Sequence, residues 1–485
     1  MRLLDILTGL DYQFRGADVE IASLEMDSRR VEPGALFFCI PGVKLDGHAF
    51  AKDVEKKGAA ALIVQRWLDD VALPQVLVGD VRAAMSQIAA NFYGHPTEKL
   101  KMIAVTGTNG KTSTTYMIKT VAEACGKKVG LMGTIANYIG DKQIPADLTT
   151  PDPIALQALL AQMAEENVDW VVMEASAHAL YLRKLQGIVY DAAVFTNLTE
   201  DHLDFFGDME RYYQAKLILF TEQMAKQAIV NIDDPYGARL AKEAQIPVKT
   251  YSEKTLADYT ASQIESDVHG VSYVLKAGNE AFPVHVAIPG AFTVYNSLSA
   301  VGACVAMGIS VETAAQTLSK LHGVHGRCES LDTQGRSFGV ILDYAHTPDA
   351  LVNILSTVRQ FTKNRLIAVF GCGGDRDPIK RPIMGQMAAE NADYCIVTSD
   401  NPRTEDPMKI IEAIVPGVEK VGTPYEVIEN RRAAIDRALH LACDGDVVVL
   451  AGKGHETYQD IMGVKHHFDE KEIVAELLAA MAQEK

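Results

Sequence analysis

Cysteine is scarce in this sequence. The 485 residues hold seven scattered cysteines, with no Cys-X-X-Cys pair and no spacing typical of a metal site. Disulfide-dependent secreted domains are dense in cysteine, so this pattern indicates reduced thiols in a cytoplasmic protein. The sequence therefore gives no support for a disulfide scaffold or for a cysteine-based metal centre.

Long apolar runs and an excess of basic residues are also lacking. No stretch approaches the roughly 18 apolar residues of a membrane helix, and the start of the chain, Met1 to Asp5, has no signal-peptide core. The 46 lysines and arginines stand against 63 aspartates and glutamates, for a formal charge of −17. Such a charge argues against non-specific binding to nucleic acid or to an anionic membrane. We therefore expect no nucleic-acid partner and no stable membrane insertion.

What is present is an ordinary globular composition. Hydrophobic residues make up 48% and charged residues 22% of the chain, which is enough to build full cores. A chain of 485 residues suggests about three domains. We predict domains at residues 1–98, 99–325 and 326–485, with a hinge at His95–Thr97 between the first two.

One stretch of the second domain predicts a phosphate-binding loop. Met102–Val105 has the length and branching of a buried parallel strand, and helical spacing of apolar residues begins after Thr112. The intervening turn, Gly107–Gly110, would present N–H groups at a helix N-terminus to an anion. Lys111 would add a charge for the outer phosphates, and the Thr112 hydroxyl could bind Mg²⁺. The match is imperfect, because two residues rather than four separate the glycines.

Two further buried strands, at 170–173 and 192–195, each end in polar residues. Ligands gather at the carboxyl ends of the strands in an open α/β sheet, so these residues are candidates to face the phosphates. The candidates are Glu174, Ser176, Asn197, Asp201 and His202.

The remaining apolar segments alternate between strand and helix patterns, which predicts an α/β fold with a doubly wound last domain. The predicted strands are residues 36–40, 61–64, 76–78, 228–232, 339–342, 366–370, 395–398 and 447–450. The predicted helices include residues 48–57, 82–93 and 296–307. Alternation within 268–288 predicts a small antiparallel sheet, and Gly371–Gly374 is interpreted as a tight turn.

Taken singly, several motifs have simple structural explanations. Glu174 could be a surface carboxylate, His202 a solvated loop histidine, and Lys216 a lysine that covers apolar surface with its stem. Asp343–His346, at a strand end, could be a helix cap. Each motif alone therefore leaves its function open.

Together and in chain order, the motifs closely resemble the Mur ligases, ATP-dependent amide-forming enzymes of peptidoglycan precursor assembly. The matching motifs are Gly107–Thr112, Glu174–His178, Thr196–Asp204, Lys216, Tyr295–Asn296, Gly326–Arg327 and Asp343–His346. The resemblance spans nearly the whole chain. It implies an N-terminal domain for a UDP-linked substrate, a central ATP-binding domain with a P-loop-type, mostly parallel sheet, and a C-terminal Rossmann-like domain for an amino acid.

The resemblance implies ATP and Mg²⁺ as cofactors. It assigns ATP binding to Gly107, Thr108, Asn109, Gly110, Lys111, Thr112, Ser113, Asn296, Arg327 and Asp343. It implies that Thr112, Glu174 and His202 serve Mg²⁺, and that Lys111, Lys216 and His202 are catalytic. Lys216 matches the lysine that the family carbamylates with CO₂.

A second set of motifs points to particular substrates within that family. Ser399–Pro407, Gly373–Asp377 and Gly452–Glu456 resemble the members that add meso-diaminopimelate to UDP-N-acetylmuramoyl-L-Ala-D-Glu, and Asp27–Arg29 resembles their uridine-nucleotide contact. The implied contacts with the UDP-muramoyl-dipeptide are Ser28, Thr149, Thr150, Ser176 and Lys184. The implied amino-acid contacts are Arg376, Asp400, Asn401, Pro402, Arg403, Gly452 and Glu456. We expect a monomer.

Three positions depart from the family pattern, and three alternatives stay open. Ala177 replaces a serine, Lys184 an arginine, and Leu148 an asparagine, all near the expected dipeptide site. The alternatives are the same ligase with L-lysine as the amino acid, a folylpolyglutamate-type ligase, and an inactive nucleotide-binding regulator.

Overall fold

Strands and helices alternate along most of the chain. The structure is a computed structural model that describes residues 1–42, 45–146, 148–267, 269–321 and 323–483. The chain divides into two units. The first comprises Met1–Tyr259 with Ser299–Ala314, and the second comprises Thr260–Leu298 with Ala315–Lys485. The predicted α/β class is confirmed. Within the described ranges, no helix combines the length and apolar character needed to cross a membrane.

The first 98 residues form a five-stranded sheet with the strand order β1-β5-β4-β3-β2. The elements are α1 (Leu3–Ile6), β1 (Gln13–Arg15), β2 (Ser23–Glu25), β3 (Ala35–Phe38), α2 (Ala51–Lys56), β4 (Ala61–Val64), β5 (Gln75–Leu77) and α3 (Val81–Phe92), with 3₁₀ turns at Gly47–Phe50 and Pro96–Lys99. Strands β2 to β5 run parallel, and β1 pairs antiparallel with β5. Every residue of β3 and β4 is buried, because helices cover both faces of the sheet.

The rest of the first unit is built on a second, mostly parallel sheet. Its elements are β6 (Lys101–Thr106), α4 (Lys111–Ala124), β7 (Val129–Met132), β8 (Asn137–Ile139), β9 (Lys142–Ile144), α5 (Pro153–Glu165), β10 (Trp170–Glu174), α6 (Ala177–Tyr181), β11 (Ala192–Phe195), α7 (Leu203–Phe206), α8 (Met209–Leu217), β12 (Ala228–Asn231), α9 (Pro235–Glu243) and β13 (Val248–Ser252), with a 3₁₀ turn at Ile218–Phe220. Among these strands the order is β13-β12-β11-β6-β10-β7-β8-β9, and the pairings from β13 to β7 are parallel whereas those of β8 and β9 are antiparallel. Since β6 lies between β10 and β11, its carboxyl end opens at the crevice where such sheets bind ligands.

The remaining elements follow in chain order. They are β14 (Tyr259–Asp267), β15 (Gly270–Ala277), β16 (Glu280–Val286), α10 (Phe292–Ala306), α11 (Val311–Leu318), β17 (Glu329–Ser330), β18 (Gly339–Asp343), α12 (Pro348–Arg359), β19 (Leu366–Phe370), α13 (Lys380–Asn391), β20 (Tyr394–Val397), α14 (Pro407–Val421), β21 (Tyr425–Val427), α15 (Arg431–Leu441), β22 (Val447–Ala451), β23 (Tyr458–Ile461), β24 (Val464–His467) and α16 (Glu470–Gln483). A six-stranded sheet has the order β17-β18-β22-β19-β20-β21, parallel except for β17. Strands β23 and β24 form a separate hairpin.

The element predictions hold best for buried strands and fail at the start of one helix. The antiparallel pair predicted within 268–288 is confirmed as β15 and β16, although residue 268 lies outside the described residues. The predicted first residue of one helix, Asn296, is wrong. The helix begins at Phe292, directly after a Pro289–Ala291 turn whose Gly290 has a φ of 100°. Asn296 resembles a cap in sequence, but it lies inside α10 and is buried.

Candidate active site

The loop between β6 and α4 has the strand, turn and helix arrangement that the sequence predicted. Gly107 and Gly110 have φ values of 150° and 85°, a region that favours glycine. A Cβ atom at Gly107 would lie 1.9 Å from Thr196 Oγ1, so any side chain there would collide with β11's end. Lys111 opens α4 and folds back over the loop, where Nζ donates to the carbonyl of Thr108 at 2.8 Å.

Residues after β11 hold this loop in place. The Asn109 N–H donates to Asn197 Oδ1 at 2.9 Å, and the Thr108 N–H donates to the Asn197 carbonyl, also at 2.9 Å. Thr196 Oγ1 donates to the Asn109 carbonyl at 2.6 Å. Because these two loop N–H groups are engaged by Asn197, the anion-binding donors are the first N–H groups of α4, which have no intrahelical acceptor.

Glu174, at the end of β10, is a buried carboxylate held by neutral donors. It is 1% exposed and accepts hydrogen bonds from Thr112 Oγ1 at 3.0 Å, the Thr134 N–H at 2.9 Å and Thr134 Oγ1 at 3.0 Å. Gly133 leaves room for it, since a Cβ there would lie 2.4 Å from Glu174 Oε1. In the described part of the chain, no basic side chain lies within ion-pair distance of Glu174. A buried carboxylate without a cation is costly, and its surroundings therefore suit a bound metal ion.

The oxygen donors of Thr112 and Glu174 fit Mg²⁺, which takes hard oxygen ligands and keeps several waters or substrate phosphates in its shell. Among the described residues, no group of three or more His, Cys, Asp or Glu side chains is assembled to hold a metal. Substrate oxygens and water would therefore complete such a site.

His202 lies next to a second histidine rather than at Glu174. Its backbone is left-handed, with a φ of 55°, and its ring lies 4.7 Å from the ring of His178 in an edge-on contact. Burial lowers the pKa of both imidazoles, and the nearby Asp201 partly opposes this for His202. No hydrogen bond or ion pair within the described ranges joins His202 to Glu174 or Thr112.

Lys216 is buried on α8 and is linked to the phosphate loop through Tyr212. It is 1% exposed, and Nζ lies 4.6 Å from the centre of the Tyr212 ring. Tyr212 Oη lies 3.2 Å from Thr108 Oγ1, within hydrogen-bond distance. Burial lowers the pKa of Lys216 well below its usual value, and the charge of Lys111 adds to this effect. The described residues place no carboxylate within ion-pair distance of Lys216, so the environment favours a neutral amine.

Three of the four predicted dipeptide contacts in the central domain gather at the end of β10. Thr150 Oγ1 donates to the Glu174 carbonyl at 2.8 Å and accepts from the Ser176 N–H at 3.1 Å. The Thr149 hydroxyl lies 3.0 Å from the Thr134 hydroxyl, which itself binds Glu174. These side chains therefore share one polar network with the candidate metal ligand.

Lys184 and Ser28 lie apart from that network. Lys184 Nζ forms an ion pair with Asp152 Oδ1 at 2.6 Å. Ser28 follows β2, and its carbonyl accepts from Lys57 Nζ at 2.7 Å. Within the described ranges, no hydrogen bond connects Ser28 with Thr150 or Ser176, so their grouping stays a prediction. Of the departures from the family pattern, Ala177 is buried and Leu148 is exposed.

Two of the predicted nucleotide residues of the second unit, Arg327 and Asp343, lie beside Tyr344. The Arg327 guanidinium lies 5.3 Å from the Tyr344 ring centre, and Arg327 Nε is buried without a partner in the described structure. Asp343, at the end of β18, accepts from the Cys328 N–H at 2.7 Å, and burial raises its pKa while Arg327 opposes the rise. The unpartnered guanidinium nitrogen is a donor available to an anionic ligand.

The turn after β20 brings five of the predicted amino-acid contacts together. Asp400 and Asn401 are 5% and 4% exposed, and Asn401 Nδ2 donates to Glu456 Oε2 at 2.8 Å. A Cβ at Gly452 would lie 2.3 Å from Asp400 Oδ2, so glycine is needed where the two loops meet. Pro402 follows in the same turn and is also buried.

Arg403 has a left-handed backbone held by the β23–β24 hairpin. Its φ is 50°, its N–H donates to the Asp460 carbonyl at 3.0 Å, and its carbonyl accepts from the Met462 N–H at 2.7 Å. The guanidinium Nη1 donates to the Gly374 carbonyl at 2.5 Å. Arg376, two residues after Gly374, is exposed. The predicted Gly371–Gly374 turn thus lies beside the Arg403 side chain.

Sequence reasoning missed four side chains that organise these sites. They are Thr134, His178, Tyr212 and Lys453. A usable signal existed for two of them. Tyr212 precedes Lys216 by one helical turn, and Lys453 stands between two glycines in a strand-end loop.

Sequence profiles of one family match most of the chain. The Mur ligase middle domain matches residues 105–304, the Mur ligase glutamate ligase domain matches 326–454, and the Mur ligase family catalytic domain matches 20–93. Each of the three segments lies within one of the ranges 1–98, 99–325 and 326–485.

Individual proteins give the same result. A UDP-N-acetylmuramoyl-L-alanyl-D-glutamate–2,6-diaminopimelate ligase of Syntrophomonas wolfei is 45% identical over 485 residues, which is 99% of each chain. A solved structure with the same enzyme name has 35% identity and a TM-score of 0.71, and the match covers 95% of each chain. A MurF ligase of Thermotoga maritima in complex with ADP has the same fold, with 17% identity, a TM-score of 0.61, and coverage of 95% of this chain and 98% of that one.

Proposed function

Because this chain belongs to the Mur ligase family, we propose that it is an ATP-dependent ligase of peptidoglycan precursor synthesis. The reaction joins meso-diaminopimelate to the γ-carboxylate of D-Glu in UDP-N-acetylmuramoyl-L-Ala-D-Glu. One observation carries the proposal, namely that two features occur in the same chain. They are the phosphate loop with its buried Thr112–Glu174 pair and the preorganised Asp400–Arg403 turn. We propose residues 1–98, 99–325 and 326–485 as the domains for the UDP substrate, ATP and the amino acid.

The reaction has two steps. The D-Glu carboxylate attacks the γ-phosphorus of ATP, so that an acyl phosphate forms and ADP leaves. The amino group then attacks the acyl carbon, phosphate leaves with the C–O bonding pair, and the new amide loses a proton. Phosphoryl transfer of this kind depends on positioning and charge neutralisation more than on covalent help. Lys111 and the first N–H groups of α4 position the phosphates and neutralise their charge.

Bound Mg²⁺ would supply charge neutralisation between phosphate oxygens, with Thr112 and Glu174 as its protein ligands. The protein's own part is to orient the Glu174 carboxylate through three hydrogen bonds from Thr112 and Thr134. His202, kept neutral by burial, offers an imidazole nitrogen as a further ligand.

We assign Lys216 as a carbamylated lysine. Its neutral amine attacks the carbon of CO₂, an N–C bond forms, and one proton is released, which leaves a carbamate with one negative charge. The burial that lowers the pKa of Lys216 favours this step, because only the neutral amine is nucleophilic. An unmodified ammonium would instead repel a metal ion in this buried region.

The substrate carboxylate would lie near Thr149, Thr150 and Ser176, whose hydroxyl groups share the Glu174 network. Lys184 keeps the positive charge that the family places nearby, and its ion pair with Asp152 orients it. Ser28 is proposed to contact the uridine nucleotide. In the second unit, Arg327, Asp343 and Asn296 are proposed to bind the nucleotide.

The amino-acid site is proposed to lie at the Asp400–Arg403 turn. Arg403 can bind the distal carboxylate of diaminopimelate through two parallel hydrogen bonds, with Asn401 and Arg376 assisting. Glu456 and Gly452 would receive the distal amino group. L-lysine lacks the distal carboxylate and would leave the guanidinium without an anion.

Product mass spectrometry tests the proposal. The protein is incubated with ATP, Mg²⁺, the UDP-linked dipeptide and an equimolar mixture of meso-diaminopimelate, L-lysine and L-glutamate. We expect ADP release together with one product, heavier than the UDP-dipeptide by one diaminopimelate residue. A lysine adduct would support the lysine-adding alternative, and glutamate addition to a folate acceptor would support the folylpolyglutamate alternative. Absence of ADP release with all substrates would indicate an inactive nucleotide-binding protein.

A further inference from the structure

Lys453 is a fully buried lysine that lies among the proposed amino-acid contacts. Its side chain is 0% exposed, and Nζ lies 3.0 Å from Asn401 Oδ1, 3.3 Å from Glu456 Oε2 and 3.9 Å from Asp400 Oδ1. A buried ammonium is strongly unfavourable unless charges and hydrogen bonds compensate it. Two carboxylates and an amide oxygen do so here, and these are the groups that the amino acid is proposed to meet.

The backbone around Lys453 has no freedom to place this side chain elsewhere. Gly452 and Gly454 flank it with φ values of 118° and 51°. A Cβ at Gly454 would lie 2.6 Å from Tyr344 Cβ, and one at Gly452 would lie 2.3 Å from Asp400 Oδ2. Both neighbours are therefore packed against other loops, and the lysine stem between them enters the interior.

The ammonium fixes the orientation of Asn401. Asn401 Oδ1 accepts from Lys453 Nζ and from the Asp460 N–H at 2.9 Å, while its Nδ2 donates to Glu456 Oε2 at 2.8 Å. Reversing the amide would place its NH₂ group against two donors. The amide can therefore adopt only one of its two orientations.

Glu456 is anchored through one of its two oxygens. Within the described residues, the hydrogen bonds to its carboxylate from Lys453 and Asn401 both end at Oε2, and its side chain is 13% exposed. The other oxygen, Oε1, has no hydrogen bond in this part of the chain. A carboxylate held in this way presents one oriented oxygen to a cationic ligand.

Aromatic rings shield the ammonium. Lys453 Nζ lies 5.7 Å from the ring centre of Tyr458 and 5.9 Å from that of Phe468. Tyr458 begins β23 and Phe468 directly follows β24, so both lie at the open end of the hairpin. Ring faces at this distance attract a cation, and they also reduce access of water to the network.

We propose that Lys453 is a positioning residue for a diamino-acid substrate. Its ammonium holds Glu456 and Asn401 so that Glu456 Oε1 receives the distal ammonium of the substrate, an inference that rests on the proposed function. Lys453 does not itself contact the reacting atoms. Its loss should therefore weaken recognition of one substrate group and leave the phosphate-transfer groups of the first unit intact.

A substrate comparison separates this role from a purely structural one. Meso-diaminopimelate is compared with 2-aminopimelate, which keeps the distal carboxylate but lacks the distal amino group, in the full-length protein and in Lys453→Gln. The wild type should prefer diaminopimelate in kcat/KM by about tenfold or more, the discrimination typical of a charged hydrogen bond. In Lys453→Gln this preference should fall to about twofold or less, through a higher KM for diaminopimelate, with the KM for ATP unchanged.

Lys465→Gln is the matched control, because Lys465 lies over the same Tyr458 ring at 4.1 Å but is exposed and outside the network. It should keep the full preference. Glu456→Gln should reproduce the loss, and adding Lys453→Gln to it should change the preference no further. If Lys453→Gln does not fold, Lys453→Met takes its place, because methionine fills much of the same buried space without a charge.

Two results would overturn the proposal: an unchanged preference in Lys453→Gln, including the case in which activity falls equally with both amino acids, or an increased preference for diaminopimelate. The last would mean that the lysine repels the substrate ammonium. Wild-type protein that does not use diaminopimelate would instead contradict the proposed function, so the two failures are distinguishable.

Discussion

At the scale of single residues, the chemistry depends on charges that the fold removes from water. Lys111 covers its own loop, Lys216 is buried beside Tyr212, and Glu174 is buried among hydroxyl donors. Lys111 and Glu174 were predicted from their positions at a helix start and a strand end, whereas Lys216 was predicted from the family resemblance. The sequence did not predict Tyr212 or Thr134, since which side chains meet depends on how separate loops approach one another.

Lys111→Ala should abolish ligation while the protein stays folded. Lys111 opens α4 beside the phosphate loop, so its loss removes positive charge at the β- and γ-phosphates. Removing one such electrostatic group typically costs about 2.7–4 kcal/mol in transition-state stabilisation. Turnover at saturating ATP and the thermal unfolding midpoint are the measurements. Near-normal turnover would contradict the assignment of the loop.

Lys216→Ala should be nearly inactive and should regain part of its activity with formate or acetate. A small carboxylate can occupy the cavity and replace the charge of the carbamate, whereas Lys216→Arg keeps a positive charge and should not be rescued. Lys226→Ala, which alters an exposed lysine of the same unit, is the control and should stay active. Full activity of Lys216→Arg would show that the lysine is only structural.

At the scale of elements, the parallel strands were the most predictable part and the short hairpin the least. Every residue of β19 and β22 is buried, which gives a continuous apolar run in the sequence. The strands of the β23–β24 hairpin have four residues each, and β24 is exposed throughout, so no alternation marks it. The hairpin still matters, because its backbone holds Arg403 at both its N–H and its carbonyl.

Met462→Asn should stabilise this hairpin. Met462 has a φ of 52°, precedes Gly463 with a φ of 76°, and is 70% exposed. Asn-Gly is the preferred pair for such a two-residue turn, because asparagine tolerates the left-handed region better than methionine does. We expect a gain of about 0.5–1 kcal/mol in local opening free energy.

Hydrogen exchange measures this directly at the Arg403 amide, which donates to the hairpin carbonyl of Asp460. Exchange should slow in Met462→Asn. It should not slow in Met462→Ala, because alanine gains nothing at a positive φ. Faster exchange in the asparagine variant would show that the methionine side chain, not the turn, holds the hairpin.

At the scale of the whole molecule, the proposed phosphate-transfer groups and the proposed amino-acid contacts lie in different units. The phosphate loop, Glu174 and Lys216 belong to the first unit, and the Asp400–Arg403 turn and Glu456 belong to the second. This division could be predicted from the strand-end positions of the motifs. The hydrogen-bond network of Lys453, Asn401 and Glu456 could not be predicted from the sequence, because it depends on how Lys453 enters the interior between two loops.

Arg403→Ala should therefore separate the half-reactions. The first step needs only ATP and the UDP-linked dipeptide, so exchange of oxygen isotope between the bridging and non-bridging positions of ATP should persist without an amino acid. The second step should fall by about 10³-fold with diaminopimelate, because the distal carboxylate loses its guanidinium partner. Lys111→Ala should lose both activities. Arg437→Ala, which removes an exposed arginine of the same unit, should lose neither.

The same variant tests the choice of amino acid. In the unmutated protein, L-lysine leaves the half-buried Arg403 guanidinium without a substrate carboxylate, which is unfavourable for a charge that is partly removed from water. The wild type should therefore prefer diaminopimelate over lysine by about 10³-fold in kcat/KM. Arg403→Ala should lose that preference by becoming poor with diaminopimelate, and not by becoming efficient with lysine. Equal kcat/KM values for the two amino acids in the wild type would refute the role of Arg403. Loss of isotope exchange in Arg403→Ala would show instead that the variant disturbs the phosphate-transfer site.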